Sequence, residues 1–242
     1  MGSQMEYLAI NVKTQTSTFR IPEFQNFHKS YFLPPPTTLM GLAGAAMKLS
    51  PKETQDFFDS AKFDMGVFGI SQGKAKDLWK YRTLESKGLV GSSIISKEIW
   101  FLNNYFIVYG AADHLLIDKL RSSFLHPGYA LTLGSSDSLA KATVIEQFEL
   151  SESTDVEHCI LEGNIIEEVF ENSDNNLGFS LYTTREPISC HLPVRFEYES
   201  DYGVRRVIKR KEFSFIGKKM KLNVSKKGVK IGDIFVPLFS VV

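Results

Sequence analysis

His28, Lys29 and Tyr31 are the side chains in this sequence best suited to acid–base chemistry. A Tyr–Lys–His group can cleave RNA without a metal, by activating a ribose 2′-OH and stabilising the charge that develops. Neighbours on a strand point to opposite faces, so sequence adjacency alone supports the grouping weakly. The five histidines (His28, His114, His126, His158 and His191) share no ligand-like spacing. Walker loops, G-x-S-x-G elbows, H-E-x-x-H helices and Cys/His metal quartets are missing from the sequence. The residues therefore favour a binding role without metal or cofactor, and the His28–Lys29–Tyr31 endoribonuclease is the runner-up.

Binding chemistry is better represented. Ser71–Lys97 carries Lys74, Lys76, Lys80, Arg82 and Lys87 against Asp77 and Glu85, with Trp79 and Tyr81 interleaved. Cations neutralise phosphates, and flat rings stack on unpaired bases at about 1–3 kcal/mol each. The alternative is that Trp79 and Tyr81 pack down while the lysines solvate a hairpin tip; the residues alone leave both open. Arg20 can clamp a phosphate or pair with an acidic segment. Between Val204 and Lys230 the chain is strongly basic, with Arg205 and Arg206 at its start. Between Ala142 and Thr184 there is no Lys or Arg, and Glu and Asp recur throughout. The net charge of zero thus hides a segregation that suits a polyanion on one face and a basic protein on another. Solvated strand faces are the plainer reading of the same charges.

The elements that must position these groups follow from periodicity. Leu8, Ile10 and Val12 alternate as a strand. Three prolines (Pro34–Pro36) precede an apolar helix, Leu39 to Leu49, which Thr37 and Thr38 are placed to cap. Gly41, Gly44, Ala45 and Ala46 allow close approach of a backbone or phosphate to that helix. Ser50-Pro51-Lys52-Glu53 reads as a capping box opening a second helical piece to Ala61. Phe63, Met65 and Val67 start a second strand, and Tyr105–Tyr109 is a third. Leu115, Leu116, Lys119, Leu120 and Phe124 have helical spacing, and Tyr129–Leu133 reads as a fourth strand. The order βαββαβ makes the chain α+β and ferredoxin-like over residues 5–140, interrupted at 71–97 by an insertion too long for a plain loop. Residues 141–242 read as a smaller β-rich region.

With 43% hydrophobic and 23% charged residues, the composition is that of an ordinary globular protein. The apolar runs fall short of the ~20 residues of a membrane helix. Cys159 and Cys190 form no disulfide framework, which fits a reducing cytoplasm. Met5 reads as the natural start, with MGSQ as an appended leader.

Phe19-Arg20-Ile21-Pro22, the aromatic linker, Pro34-Pro35-Pro36-Thr37-Thr38-Leu39 and Gly41-Leu42-Ala43-Gly44-Ala45-Ala46 resemble the amino-terminal signature of the CRISPR-associated Cas-five family. The segment from His126 to Ser136 is similar to that family's proline, strand and Leu-Gly turn. The resemblance covers residues 5 to 140 well, and length and β-rich tail look most like the type I-B branch. It implies a non-catalytic subunit of a type I Cascade surveillance complex that caps the 5′ handle of the crRNA in antiviral defence. It places Ser71–Lys97 as a thumb against the first backbone subunit, and Arg20, Thr37 and Thr38 near the handle. It also implies a large-subunit neighbour and a small role in positioning target DNA. One branch, type I-C, cleaves precursor crRNA with a Tyr, a Lys and a His, and this sequence has no match to that trio.

Overall fold

Alternating burial of Leu8, Ile10 and Val12 against exposure of Lys13 and Gln15 makes the first strand, and in the computed structural model it is an inner strand of the main sheet. The model describes residues 5–24, 27–84, 90–165 and 187–241. In chain order the elements are β1 (Glu6–Ser17), β2 (Phe19–Arg20), β3 (Phe27–His28), β4 (Ser30–Tyr31), α1 (Pro36–Met47), α2 (Pro51–Asp59), β5 (Phe63–Leu84), β6 (Val90–Ala111) and α3 (His114–Leu125). Then follow β7 (Ala140–Ile145), β8 (Glu149–Val156), β9 (Cys159–Glu162), β10 (Ile188–Tyr198), β11 (Arg205–Ile216), β12 (Met220–Ile231) and β13 (Ile234–Ser240). The chain is a mixed α/β protein rich in strands.

Four antiparallel strands lie side by side in the order β7-β1-β6-β5. Leu8, Ile10, Met65, Val67 and Ile107 face the helices, where Leu39, Leu42, Leu120 and Phe124 complete the main core. The sheet continues from β5 through β13 to β12 and β8, and through β9 to β11 and β10. It curls, so Val229 and Val236 cover the opposite face at Ala9, Phe68 and Val108. That second cover explains why β1 is buried on both faces over Leu8–Ile10. Phe213, Phe215, Leu192 and Val194 also enter the main core, joining both halves of the sequence in one apolar interior.

Helix α1 does not start as the sequence suggests. Its N-cap is Pro35, with φ −60° and ψ 162° and no side-chain cap, and Pro36 takes the first helical position. The Thr38 and Leu39 N–H groups donate to the Pro35 carbonyl (2.8 and 3.1 Å), which leaves Thr37 and Thr38 inside the first turn rather than capping it. Proline at the first position lacks an N–H and is preset near helical φ, so no threonine cap is needed there. The second start is as expected. Ser50 Oγ accepts from Glu53 N–H (3.2 Å), and Glu53 Oε2 accepts from Ser50 N–H (2.7 Å). That bond holds the Glu53 carboxyl below the usual carboxylate range. Ser50→Ala should cost about 1 kcal/mol in urea denaturation. Glu53 contributes stability above its ordinary pKa that fades as pH falls through the depressed value. The Tm difference between the parent and Glu53→Gln should therefore shrink on acidification.

The expected fourth strand, Tyr129–Leu133, does not form; the place beside β1 is taken by β7. Gly128 and Tyr129 spend their N–H groups on the Ala46 and Ala45 carbonyls (2.8 and 3.1 Å), closing the end of α1. Only Thr132 makes a strand bridge, to Leu139. Among the described residues no helix is long and apolar enough to cross a membrane.

Candidate nucleic-acid interface

Strands β5 and β6 have 22 residues each and pair without interruption of register from Phe63–Ala111 to Leu84–Val90. β1 leaves β6 at Trp100, so from Ala75 and Ile99 outward the pair runs on as a two-stranded arm, joined only by the short parallel pairing of β3. The stretch read as an insertion is thus an extension of two core strands. Strand alternation sorts the predicted groups by face. Lys74, Lys76, Leu78, Lys80 and Arg82 share one face, with Ile94 and Ser96 of the partner strand; Asp77, Trp79 and Tyr81 share the other. Leu78 is 69% exposed and Ile94 57%, so the basic face also carries unburied apolar surface. Lys87 lies outside the described residues.

Two adjacent charges fix the root of this arm, one on each face. Glu98 is buried; its Oε2 accepts from Ser30 N–H (3.1 Å), and its Oε1 pairs with Lys74 Nζ (3.3 Å). Ser30 Oγ in turn accepts from Phe19 N–H (2.8 Å). This chain of bonds ties the arm to the β2–β4 ladder, where Arg20 is exposed and paired in register with Ser30. On the other face Lys97 is buried, and its Nζ donates to Ser135 Oγ (3.0 Å) while lying 3.9 Å from the Trp79 ring centre. Burial pulls the Lys97 ammonium below the usual lysine range, against the attraction of Asp137 and Asp77. Trp79 donates its indole N–H to Asp77 (2.6 Å), so one ring face is engaged by Lys97 while the residue stays 40% exposed. Trp79 is thus partly packed down, with the rest of its ring exposed.

Ser135 belongs to a turn that Gly134 makes possible. Gly134 has φ +87°, and a Cβ there would overlap the Thr18 carbonyl oxygen. The turn, the β1–β2 corner and the arm root thus meet at Thr18, Gly134, Ser135 and Lys97. Trp100 lies at the same root: its buried Nε1 finds no hydrogen-bond partner among the described residues, Lys74 sits over its ring (5.1 Å), and Phe32 packs edge-on (6.5 Å). An orphaned buried donor is costly unless an acceptor arrives. Gly134 is the glycine of the Leu-Gly turn noted in the sequence, whereas Glu98 and Trp100 were not singled out and Lys97 entered only as the end of the 71–97 stretch. The signal for Lys97 and Glu98 was two opposite charges side by side in an otherwise uncharged strand.

The trio read as a possible catalytic group is divided. Tyr31 is buried and stacked on Phe215 (4.7 Å), with its hydroxyl beside the Cys190 thiol; burial raises its pKa well above the usual phenol value. Lys29 Nζ sits over the Phe24 ring (5.2 Å), and His28 pairs through its backbone with Lys97.

Thr37 and Arg205 come together at a different place. A cleft of about 240 Å³ separates α1 and the start of α2 from the β10–β11 pair, lined by Thr37, Gly41, Tyr129, Phe196, Tyr198 and Arg205 among others. The Arg205 guanidinium lies 4.5 Å from the Phe196 ring centre. Arg206, opposite Glu197 in the ladder, is on the reverse face, so the adjacent arginines serve different surfaces. Thr38 stays in the first turn of α1.

These features define a strand-rich α/β protein with a long, charge-sorted arm and a glycine turn at its root. Residues 7–223 match the family model described as CRISPR-associated protein (Cas_Cas5), and the chain belongs to that family. No curated protein matches the sequence. Among solved structures, a chain of a CRISPR RNA-guided surveillance complex is similar at 10% identity over 91% of each chain, with a TM-score of 0.52. A CRISPR protein from Archaeoglobus fulgidus is similar at 10% identity over 97% of this chain and 99% of that one, with a TM-score of 0.41. A Cas protein crystal structure shares 13% identity over 54% of this chain, which spans 57% of that one's length, with a TM-score of 0.33. At these identities the likeness is one of fold.

Proposed function

We propose that this protein is a non-catalytic RNA-binding subunit of a type I CRISPR surveillance complex, of the I-B branch, and that it caps the 5′ handle of the crRNA. The observation that carries this reading is the arm: four cations, Lys74, Lys76, Lys80 and Arg82, share one face of a two-stranded projection anchored in the core sheet. That row suits a sugar–phosphate backbone by charge, and the partly exposed Tyr81 and Trp79 on the reverse supply stacking faces. Arg20 and Lys29 on the β2–β4 side extend the basic surface toward the root. The strand order β7-β1-β6-β5, crossed by α1 and α3, supports a ferredoxin-like domain whose edge strand β7 carries it to Ile145, past the 5–140 span read from the sequence, with the rest of the β-rich 141–242 part packed onto it. Leu78 and Ile94 give the arm an apolar purchase on a neighbouring backbone subunit, and the large subunit and target DNA lie beyond it. Its working place is the cytoplasm. Burial of the Tyr31 hydroxyl supports binding over cleavage, because a phenol held protonated is a poor base.

The test is incubation with handle-bearing RNA in EDTA, scored on one gel for retention and cutting. The expected result is a shift without cleavage. Lys80→Ala combined with Arg82→Ala should weaken all RNAs alike and flatten the salt dependence by about 0.7 in slope per lost phosphate contact. Site-specific cutting that disappears in Tyr31→Phe or His28→Ala would replace this reading with the endoribonuclease.

A further inference from the structure

We propose that the cleft between α1 and the β10–β11 pair is a pocket for one unpaired nucleobase of the bound RNA, with Arg205 at its mouth for the adjoining phosphate. This rests on the RNA-binding reading above and assigns part of that binding to a place well apart in sequence from the arm.

The glycines of α1 point to it first. Gly44 is needed for packing, because a Cβ there would overlap the Thr54 side chain of α2. Gly41, one turn earlier, has nothing within 4 Å of where its Cβ would stand, is exposed, and lines the cleft. Glycine weakens a helix relative to alanine, and no neighbour demands it here. Its effect is to keep the slot open.

The walls are preformed. The Gln55 side chain donates to the Phe196 carbonyl and accepts from the Phe196 N–H, both at 2.7 Å, which pins β10 to α2. Tyr129, Phe196 and Tyr198 present aromatic surface, and Arg205 is the one charged side chain among the lining residues. Its guanidinium carbon already lies over the Phe196 ring, 4.5 Å from the centre. A planar, neutral, stackable group with an anion attached satisfies all of these features, and a nucleotide within a single strand is such a group. A basic side chain of a protein partner would be repelled by Arg205. An acidic one would meet the arginine but leave the aromatic faces unused. Thr37 and Tyr198 bring hydroxyls suited to base edges.

The experiment measures binding of the full chain to handle-bearing RNAs in which each base in turn is replaced by an abasic site. For the parent, one position should weaken binding roughly 5- to 100-fold, the range for losing one base–aromatic stack. Gly41→Leu fills the slot and should lose the same factor with intact RNA, yet lose nothing further with the sensitive abasic RNA. Arg205→Ala should repeat that pattern in part, and 4-thiouridine at the sensitive position should photo-crosslink to Tyr198 or Phe196. A melting temperature of Gly41→Leu at or above the parent's shows that the slot, not the fold, was altered; if that variant unfolds, Arg205→Ala and the crosslink decide. A flat abasic scan with tight binding of intact RNA would overturn the pocket and leave the RNA reading standing. Unchanged RNA binding by Gly41→Leu, with loss of a protein partner instead, would reassign the cleft to a protein side chain. No binding of intact RNA by the parent would overturn both.

Discussion

Gly134→Val should fail to accumulate as folded protein, or melt more than ~6 °C below the parent. Two costs coincide at this position. A side chain at φ +87° is strained, by about 1–2 kcal/mol in the left-handed region and more for a β-branched residue. The added Cβ also meets the Thr18 carbonyl, a backbone atom that cannot swing aside as a side-chain tip can. Relief means moving the β1–β2 corner, which would pull Phe19 from the core and Ser135 from Lys97. A total beyond about 3 kcal/mol is large against a whole-domain stability of about 5–15 kcal/mol. A cooperative melt within 2 °C of the parent, on the order of the shift from a 1 kcal/mol change in a chain this long, would show that the turn relaxes freely.

Glu98→Ala should lower both stability and RNA affinity, and the second effect has the opposite sign to simple charge. Removing an acid from a basic surface ought to strengthen binding to a polyanion. Glu98, however, accepts the Ser30 N–H and holds Lys74, so its loss leaves a buried donor unpaired at about 1–3 kcal/mol. The ion pair itself adds little, because the Lys74 side chain is 41% exposed. The β2–β4 ladder bearing Arg20 then loses its tie to the arm, and the cations no longer hold one arrangement. Glu98→Gln keeps an acceptor and should recover most of the stability. Equilibrium denaturation and RNA titration of the three proteins check this. Tighter RNA binding by Glu98→Ala would show that the residue acts through its charge and not by positioning.

What the sequence made legible was whatever a local pattern dictates. The capping box at Ser50–Glu53 was readable because both halves lie within one turn and satisfy each other. Strand β1 was readable because Leu8, Ile10 and Val12 pack into the main core while Lys13 and Gln15 stay exposed. The 71–97 stretch reads as an insertion in the sequence, whereas in the structure it is the outer part of two continuous core strands. Gly73 sits within this ladder, in register with Phe101, and nothing crowds it. The fourth strand is misplaced: Tyr129–Leu133 has the alternation, but its first N–H, with that of Gly128 before it, is claimed by the end of α1, a contact that no window of sequence contains. The same holds for the site. Basic and aromatic types identified the arm, whereas Lys97, Glu98 and Gly134 matter through partners 38, 68 and 116 residues away. Thr37 and Arg205 were chosen separately, and only the fold brings them to one cleft.

The uninterrupted course of β5 and β6 gives the arm a mechanical property. From Ala75 to Leu84 it reaches ~30 Å beyond the sheet at strand rise, and the same two strands continue in one register into the fully buried Met65, Val67, Ile107 and Tyr109, with one irregularity at the root, where Leu102 takes φ +51° and drops out of the ladder. A load applied near the tip is therefore carried as torsion into the centre of the domain, as along a cantilever beam clamped in a wall. Seating of the arm against RNA or a neighbouring subunit should then slow hydrogen exchange at the amides of Val67 and Ile107, far from any surface that is touched.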